Sequence, residues 1–142
     1  MNWFYSVMKR FPPPPAQTTQ ERGQQGESVA RRMLEQRGLK FLCANFRGRK
    51  GEIDLVFRTH DTLVFVEVKS RESASWTRPA AAVDRPKRLR LSRTALEYLR
   101  ACGNPEVRLR FDIVEVLTQQ GVVSDIRHIE DAFELAAPYR YG

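Results

Sequence analysis

Cysteine and histidine are scarce in this chain of 142 residues, two of each, and neither pair stands at a metal-holding spacing. Cys43 and Cys102 lie far apart, which excludes thiolate zinc sites and leaves reduced thiols as the expectation. His60 and His128 are isolated, so no zinc hydrolase is indicated and neither is given a catalytic role. A glycine-rich phosphate loop, a Ser-His-Asp order and a haem motif are also missing, and no competing enzyme class announces itself. The N-terminal MNWFYSVMKRFPPPP has an apolar part too short for a signal peptide or a membrane span, and it lacks a basic start. A cytoplasmic protein with no membrane partner is therefore expected. Acids are the minority, 17 against 24 Lys and Arg, for a net charge of +7. That balance favours a polyanionic partner over a small acidic metabolite.

What the chain does have is concentrated in residues 51–71, GEIDLVFRTHDTLVFVEVKSR. Read as a hairpin with His60 and Asp61 at its tip, residue 59 faces 62, Asp54 faces Glu67, and Glu52 faces Lys69. Strand side chains alternate and opposed Cβ atoms lie about 5 Å apart, so these four charged groups share one face and Val64, Val66 and Val68 take the other. Charge concentrated amid Ile, Leu, Val and Phe is costly unless it pairs or holds a metal. A plain ion pair on a solvated face would also produce Glu-x-Lys. The Asp of the preceding strand and the apolar neighbours of Glu67 count against that reading. Arg47, Arg49 and Lys50 precede the hairpin, and Arg85, Lys87, Arg88, Arg90 and Arg93 follow it. Cations flanking an acidic centre are what a metal-dependent phosphodiesterase needs to grip its substrate, although each run taken singly also fits a solvated helix face.

The apolar share, 42%, suffices for the core of one domain. We divide the chain into a flexible arm over residues 1–20 with Pro12 to Pro15 in it, a domain over 21–134, and a tail over 135–142 that frays from Pro138. A helix is expected over 24–37, with Gly26, Ala30, Met33 and Leu34 as its apolar stripe and Gly38 as its stop. A strand over 39–46 and the two hairpin strands follow. After a loop containing Trp76, Asp84 and Pro86 open a second helix that runs to about residue 101. Its core stripe is Leu89, Ser92, Leu96 and Leu99, and Arg90, Arg93 and Arg100 lie along one flank. A strand over 107–117 alternates and then turns continuously apolar. The last strand spans 122–129, with a short helical or irregular piece through Phe133. The fold class is thus α/β, a mixed central sheet flanked by helices in the order αβββαββ.

The residues that carry a family resemblance are Gly23, Gly26, Glu27 and Ala30; Asn45 and Arg47; Gly51-Glu52-Ile53-Asp54-Leu55; Phe65-Val66-Glu67-Val68-Lys69 with Arg71; Lys87; Arg110-Phe111-Asp112; and Ala132-Phe133. Over residues 23–133 the chain resembles the bacterial YraN family, within the PD-(D/E)xK restriction-endonuclease-like superfamily and distantly similar to Holliday-junction resolvases. GEIDL followed by FVEVKxR at this distance is the specific part of the signal. The resemblance implies a single-domain endonuclease-like fold and a Mg²⁺- or Mn²⁺-dependent phosphodiester hydrolase. Asp54 and Glu67 would ligate the metal with the Val68 carbonyl, and Lys69 would orient or deprotonate the attacking water. Mg²⁺ prefers hard oxygen ligands and keeps several waters, so two carboxylates and a carbonyl suffice. Glu27 matches the superfamily's helical acid, although a carboxylate near a helix N-terminus also favours the helix dipole. Glu52 would support Lys69, pair with it, or bind a second metal. Lys87 matches a phosphate-contacting or site-supporting position, while Asp112 reads as structural and paired with Arg110. Arg47, Arg49, Lys50, Arg71, Lys87, Arg90 and Arg93 are the expected nucleic-acid contacts. One departure stands out: Trp76 is followed by Thr77 where relatives carry Gly, which puts loop geometry and substrate choice in question.

The leading reading is a divalent-metal-dependent nuclease acting on DNA, in preference to RNA, at branched or single-stranded structures. The alternatives are a non-catalytic nucleic-acid-binding module of the same fold and a protein-interaction adaptor that uses the Pro-rich arm. Resolvase relatives pair, so a homodimer is an open expectation.

Overall fold

Small and apolar residues recurring every four positions bury one face of the first helix, α1 (Glu21–Gln36), at Gly26, Ala30 and Leu34. Gly38, at φ 93, ends it, with its N–H returning to the Glu35 carbonyl and that of Leu39 to Leu34. The chain then runs through β1 (Lys40–Arg47), β2 (Glu52–Thr59), β3 (Thr62–Glu72), α2 (Arg85–Ala101), β4 (Arg108–Gln119) and β5 (Val122–Phe133). A computed structural model describes residues 21–72 and 83–141. The arm expected over residues 1–20 and the Trp76–Thr77 loop lie outside the described residues.

The strands form one five-stranded sheet in the order β1-β2-β3-β4-β5. Neighbours are antiparallel except β3 and β4, which are parallel because α2 supplies the crossover between them. The order is αβββαββ, as expected from the sequence. On one face Leu91, Ala95, Tyr98 and Leu99 of α2 pack on Ile53, Phe65, Phe111 and Ile113. On the other, Ala30 and Leu34 of α1 meet Leu55, Phe57, Val64, Val66, Val114 and Val116. β3 is covered on both sides, which is why its sequence reads as an apolar run.

Asp84 caps α2 by accepting the Lys87 N–H at 2.9 Å, and Pro86 occupies the first turn. Ser92 and Leu99 are buried as expected, but the stripe is centred on Leu91, Ala95 and Tyr98, with Leu89 and Leu96 only half-buried. Tyr98 sets this rotation, since its ring fills the space between Phe46 and Phe65 at 5.1 and 5.6 Å, edge-on to both. Such edge contacts each add about 0.5–1.5 kcal/mol beyond the area buried.

Three expectations near the C-terminus need correction. The piece leading to Phe133 is strand, because Asp131 adopts φ 50 and re-aims β5 so that Phe133 pairs with Phe111 and stacks on it at 4.8 Å. Residues 135–141 are packed rather than free: Leu135 and Tyr141 lie against the core, and the Ala136 N–H donates to Ser92 Oγ at 2.9 Å. β4 is not continuously apolar either, since Glu115 sits in its buried run with 0% exposure.

Candidate active site

The β2–β3 hairpin pairs Thr59 with Thr62, the register read from the sequence, and its ladder continues to Leu55 opposite Val66. There side chain replaces backbone. Asp54 Oδ2 accepts the Val68 N–H at 2.8 Å, so Asp54 lies in the fork between the two strands. The β1–β2 ladder also passes over the step between Asn45 and Asp54, and Asn45 adopts φ 55, a left-handed conformation that Asn tolerates better than most residues. Alternation breaks at this point. Leu55 and Phe57 face α1, whereas Ile53 faces α2.

This break moves Glu52, which corrects the pairing with Lys69. Glu52 Oε2 lies 3.7 Å from Arg47 Nε and, with the Asn45 amide turned so that its NH₂ rather than its oxygen faces the acids, Glu52 Oε1 accepts from it at 2.9 Å. The same NH₂ group reaches Glu27 Oε1 at 3.3 Å. Asn45 therefore bridges two acids that would otherwise only repel. Glu27 is placed there because α1 approaches β3 closely at Gly26, where any Cβ would overlap the Ser70 hydroxyl.

Glu67 follows Phe65 on the α2 face, and Lys87 Nζ stands 3.2 Å from its Oε1. Its Oε2 is buried and has no hydrogen-bond partner among the described residues. Lys87 belongs to a first helical turn that also carries Arg85 and Arg88 and no acid, contrary to the preference of a helix N-terminus for negative charge. The positive end of α2 is thus loaded with further positive charge beside Glu67.

Asp54, Glu67 and Glu27 act on one another electrostatically. The Asp54 carboxyl is pushed from 3.8 up to about 8, first by burial and then by the charges of Glu67 and Glu27, against the Val68 N–H and Lys87. Glu27 is also raised, by burial foremost and by Glu52 and Glu67 next, with the Asn45 hydrogen bond opposing. Among the described residues no three Asp, Glu, His or Cys side chains converge closely enough to chelate a metal unaided. The donor set is smaller: two carboxylates on neighbouring strands, one of them with an oxygen lacking any hydrogen bond among the described residues, and a backbone carbonyl between Glu67 and Lys69. A hard cation that retains its waters fits such a set.

Lys69, exposed and two residues from Glu67, lies on the same side of β3 and is paired across the parallel ladder with Glu115. Glu115 sits between Arg71 at 3.2 Å and Arg127 at 3.7 Å. Arg71, expected to contact nucleic acid, is turned to this buried acid. Of the other expected contacts, Lys87 is paired with Glu67 and Arg47 with Glu52. Arg49 and Lys50 are on the β1–β2 turn, where the Arg49 N–H donates to Glu97 at 3.0 Å; Arg90 is exposed; and Arg93 Nε donates to the Tyr139 hydroxyl at 3.0 Å.

Sequence reasoning missed three features: the Asn45 bridge, Glu115, and the partners of His128. A Glu between two Val in a strand, the pattern that flagged Glu67, would have found Glu115. His128 is not isolated. Its Nε2 lies 2.8 Å from Asp112, and its Nδ1 lies 2.8 Å from Arg37 NH1. An arginine only donates, so Nδ1 accepts and Nε2 carries the proton toward Asp112. Asp112 also receives two 2.8 Å bonds from Arg110, the pairing expected, and the Asp131 N–H at 3.0 Å. Burial alone would raise its carboxyl, but the bonds from His128, Arg110 and Asp131 outweigh that and hold it below the ordinary value. By strand alternation this hub is on the α1 face, opposite Glu67.

A mixed sheet between two helices, carrying paired carboxylates and lysines where two strands part, defines an α/β domain with an acidic centre in a basic protein. Residues 26–116, which include every member of that centre, match the uncharacterised protein family UPF0102, and the chain belongs to this family. A UPF0102 protein of Rhodococcus jostii (strain RHA1) is 40% identical over 111 residues, spanning 78% of this chain and 94% of the relative. One from Syntrophus aciditrophicus is 44% identical over 115 residues, 80% of this chain and 89% of the relative. Another, from Geobacter metallireducens, is 43% identical over 114 residues, 80% and 93% of the two chains. No helix among the described residues is long and apolar enough to cross a membrane.

Proposed function

We propose that this protein is a divalent-metal-dependent nuclease that hydrolyses phosphodiester bonds in DNA, at branched or single-stranded structures. The pairing of Asp54 with Glu67 carries the reading. Asp54 holds its proton to about pH 8 without a cation, and Glu67 keeps a buried oxygen with no hydrogen bond among the described residues. A fold would not retain two such groups together for stability.

Asp54, Glu67 and the Val68 carbonyl would hold Mg²⁺ or Mn²⁺, with waters completing its shell. The bound ion would neutralise the phosphoryl oxygens and make a nearby water more acidic. Lys69 orients the attacking water and takes its proton or offsets charge on the transition state. The water oxygen would bond to phosphorus as the ester P–O bond breaks, with the proton lost by the attacking water passing to solvent and the leaving oxygen taking one from solvent. Lys87 holds Glu67 and adds positive charge beside the phosphate. Glu27, bridged through Asn45 to Glu52, fixes the rim from which α1 meets β3. Arg47, Arg49, Lys50 and Arg90 grip the flanking backbone. A two-fold dimer would place two such centres across a junction.

The test is cleavage of labelled linear, single-stranded, flapped and four-way-junction DNA in Mg²⁺, Mn²⁺ or EDTA, with Asp54→Ala and Lys69→Ala as comparators. Metal-dependent cutting lost in both variants supports the nuclease. Equal binding by all three proteins without cutting on any substrate replaces it with the non-catalytic binding module.

A further inference from the structure

Away from the acidic centre, the β1–β2 turn and the C-terminal half of α2 enclose a cleft of about 350 Å³, lined by Arg49, Lys50, Arg93, Leu96, Glu97, Arg100 and Tyr139, with the charged groups set around a largely apolar wall. Its one acid is engaged: Glu97 accepts the Arg49 N–H at 3.0 Å and lies so close over Gly48 that a Cβ there would overlap it. Arg93 is anchored through Nε to the Tyr139 hydroxyl at 3.0 Å, which leaves its terminal nitrogens for another partner. Among the described residues the side chains of Arg49, Lys50 and Arg100 form no ion pair. Four cations around one engaged acid repel each other, and a polyanion relieves that repulsion. Tyr139 adds an aromatic ring to the lining.

We infer that this cleft is a second phosphate subsite, which takes a backbone phosphate of the strand whose scissile phosphate lies at Asp54 and Glu67. The nature of the ligand rests on the nuclease reading; the site itself rests on the cleft. From Lys87 at the acidic centre to Arg93 and Arg100 is six to thirteen residues of α2, about 9–20 Å at the helical rise. At about 3.4 Å per nucleotide step, the cleft stands about three to six nucleotides from the scissile position.

The experiment is fluorescence anisotropy of labelled single strands from three to twelve nucleotides long, in EDTA across a salt series. It compares wild type, R49A/R100A and the charge-matched R32A/K40A, whose residues are exposed elsewhere. Wild type and R32A/K40A should tighten alike as the strand grows past about six nucleotides. R49A/R100A should lose that gain, with its salt slope about 1.4 smaller, two contacts at about 0.7 each. Equal slopes for the two double variants overturn the subsite, as does competition by polyglutamate equal to that of an oligonucleotide of matched charge. Cleft-dependent binding by a protein that never cuts in Mg²⁺ keeps the subsite and removes the nuclease. Cutting that R49A/R100A neither weakens nor slows does the reverse.

Discussion

Metal binding at the acidic centre should release a proton, and the pH dependence of that release follows from Asp54. With its carboxyl raised to about 8 by burial and by Glu67 and Glu27, Asp54 is about 1% ionised at pH 6, about 10% at pH 7 and half ionised at pH 8. A cation binds the ionised form, so the proton competes with it. The association constant for Mn²⁺ should rise about tenfold from pH 6 to 7, about fivefold from 7 to 8, and less than twofold beyond. Titration calorimetry in two buffers of different ionisation enthalpy should count about 0.9 protons released per ion at pH 7. Asp54→Asn removes the titrating group and should bind Mn²⁺ weakly, with no rise across this range. A wild-type affinity that is flat between pH 6 and 8, or a proton count near zero at pH 7, would refute the assignment of Asp54 as a ligand.

The same carboxyl links stability to pH in the metal-free protein. Its folded value lies above the unfolded 3.8, so its contribution is full below about pH 4 and is lost as pH rises through about 8. Asp54→Asn should therefore match wild type in urea denaturation only near pH 4 and below, and exceed it by a margin that widens as pH rises toward 8 and reaches several kcal/mol at pH 9. Asp112 has the opposite sign: its carboxyl is lowered by His128, Arg110 and the Asp131 N–H, so its contribution is present above about pH 4 and fades as pH falls through the folded value. Asp112→Ala strands buried partners and should cost about 3–5 kcal/mol by chemical denaturation. Asn45→Gly keeps the left-handed backbone but removes the bridge between Glu27 and Glu52, so cleavage should fall about tenfold or more while the melting temperature barely moves. Cys43, with burial pushing its thiol up to about 12, and the equally buried Cys102 should resist iodoacetamide until the protein unfolds.

Much of the architecture was legible because it is local. Hydrophobic period, the Gly38 stop, the Asp84 cap and the two-residue tip at His60 and Asp61 each act within a few residues, and they fixed element order and hairpin register. What escaped depends on backbone departures or distant partners. The face shared by Glu52 and Lys69 assumed unbroken alternation, and Asn45 in a left-handed conformation breaks it beside Asp54. Extending the hairpin ladder past Leu55 assumed backbone pairing, whereas the Asp54 side chain takes the Val68 N–H. His128 reads as isolated because Arg37 is 91 residues away and Asp112 is 16. β5 read as ending early because the kink at Asp131 interrupts its pattern before Phe133 re-pairs. The approach of Glu67 to Asp54 was legible; its pairing with Lys87 required the crossover to place the start of α2.

The most direct test of the central claim is single-turnover cleavage of a labelled four-way junction and its component strands by wild type and Glu67→Gln in Mg²⁺. Glu67→Gln keeps the shape of the side chain while removing its charge. Cutting by wild type that EDTA abolishes, and that Glu67→Gln lowers by two orders of magnitude or more while binding persists, is the result the account predicts. Cutting by Glu67→Gln at the wild-type rate, or cutting by wild type that continues in EDTA, would contradict it.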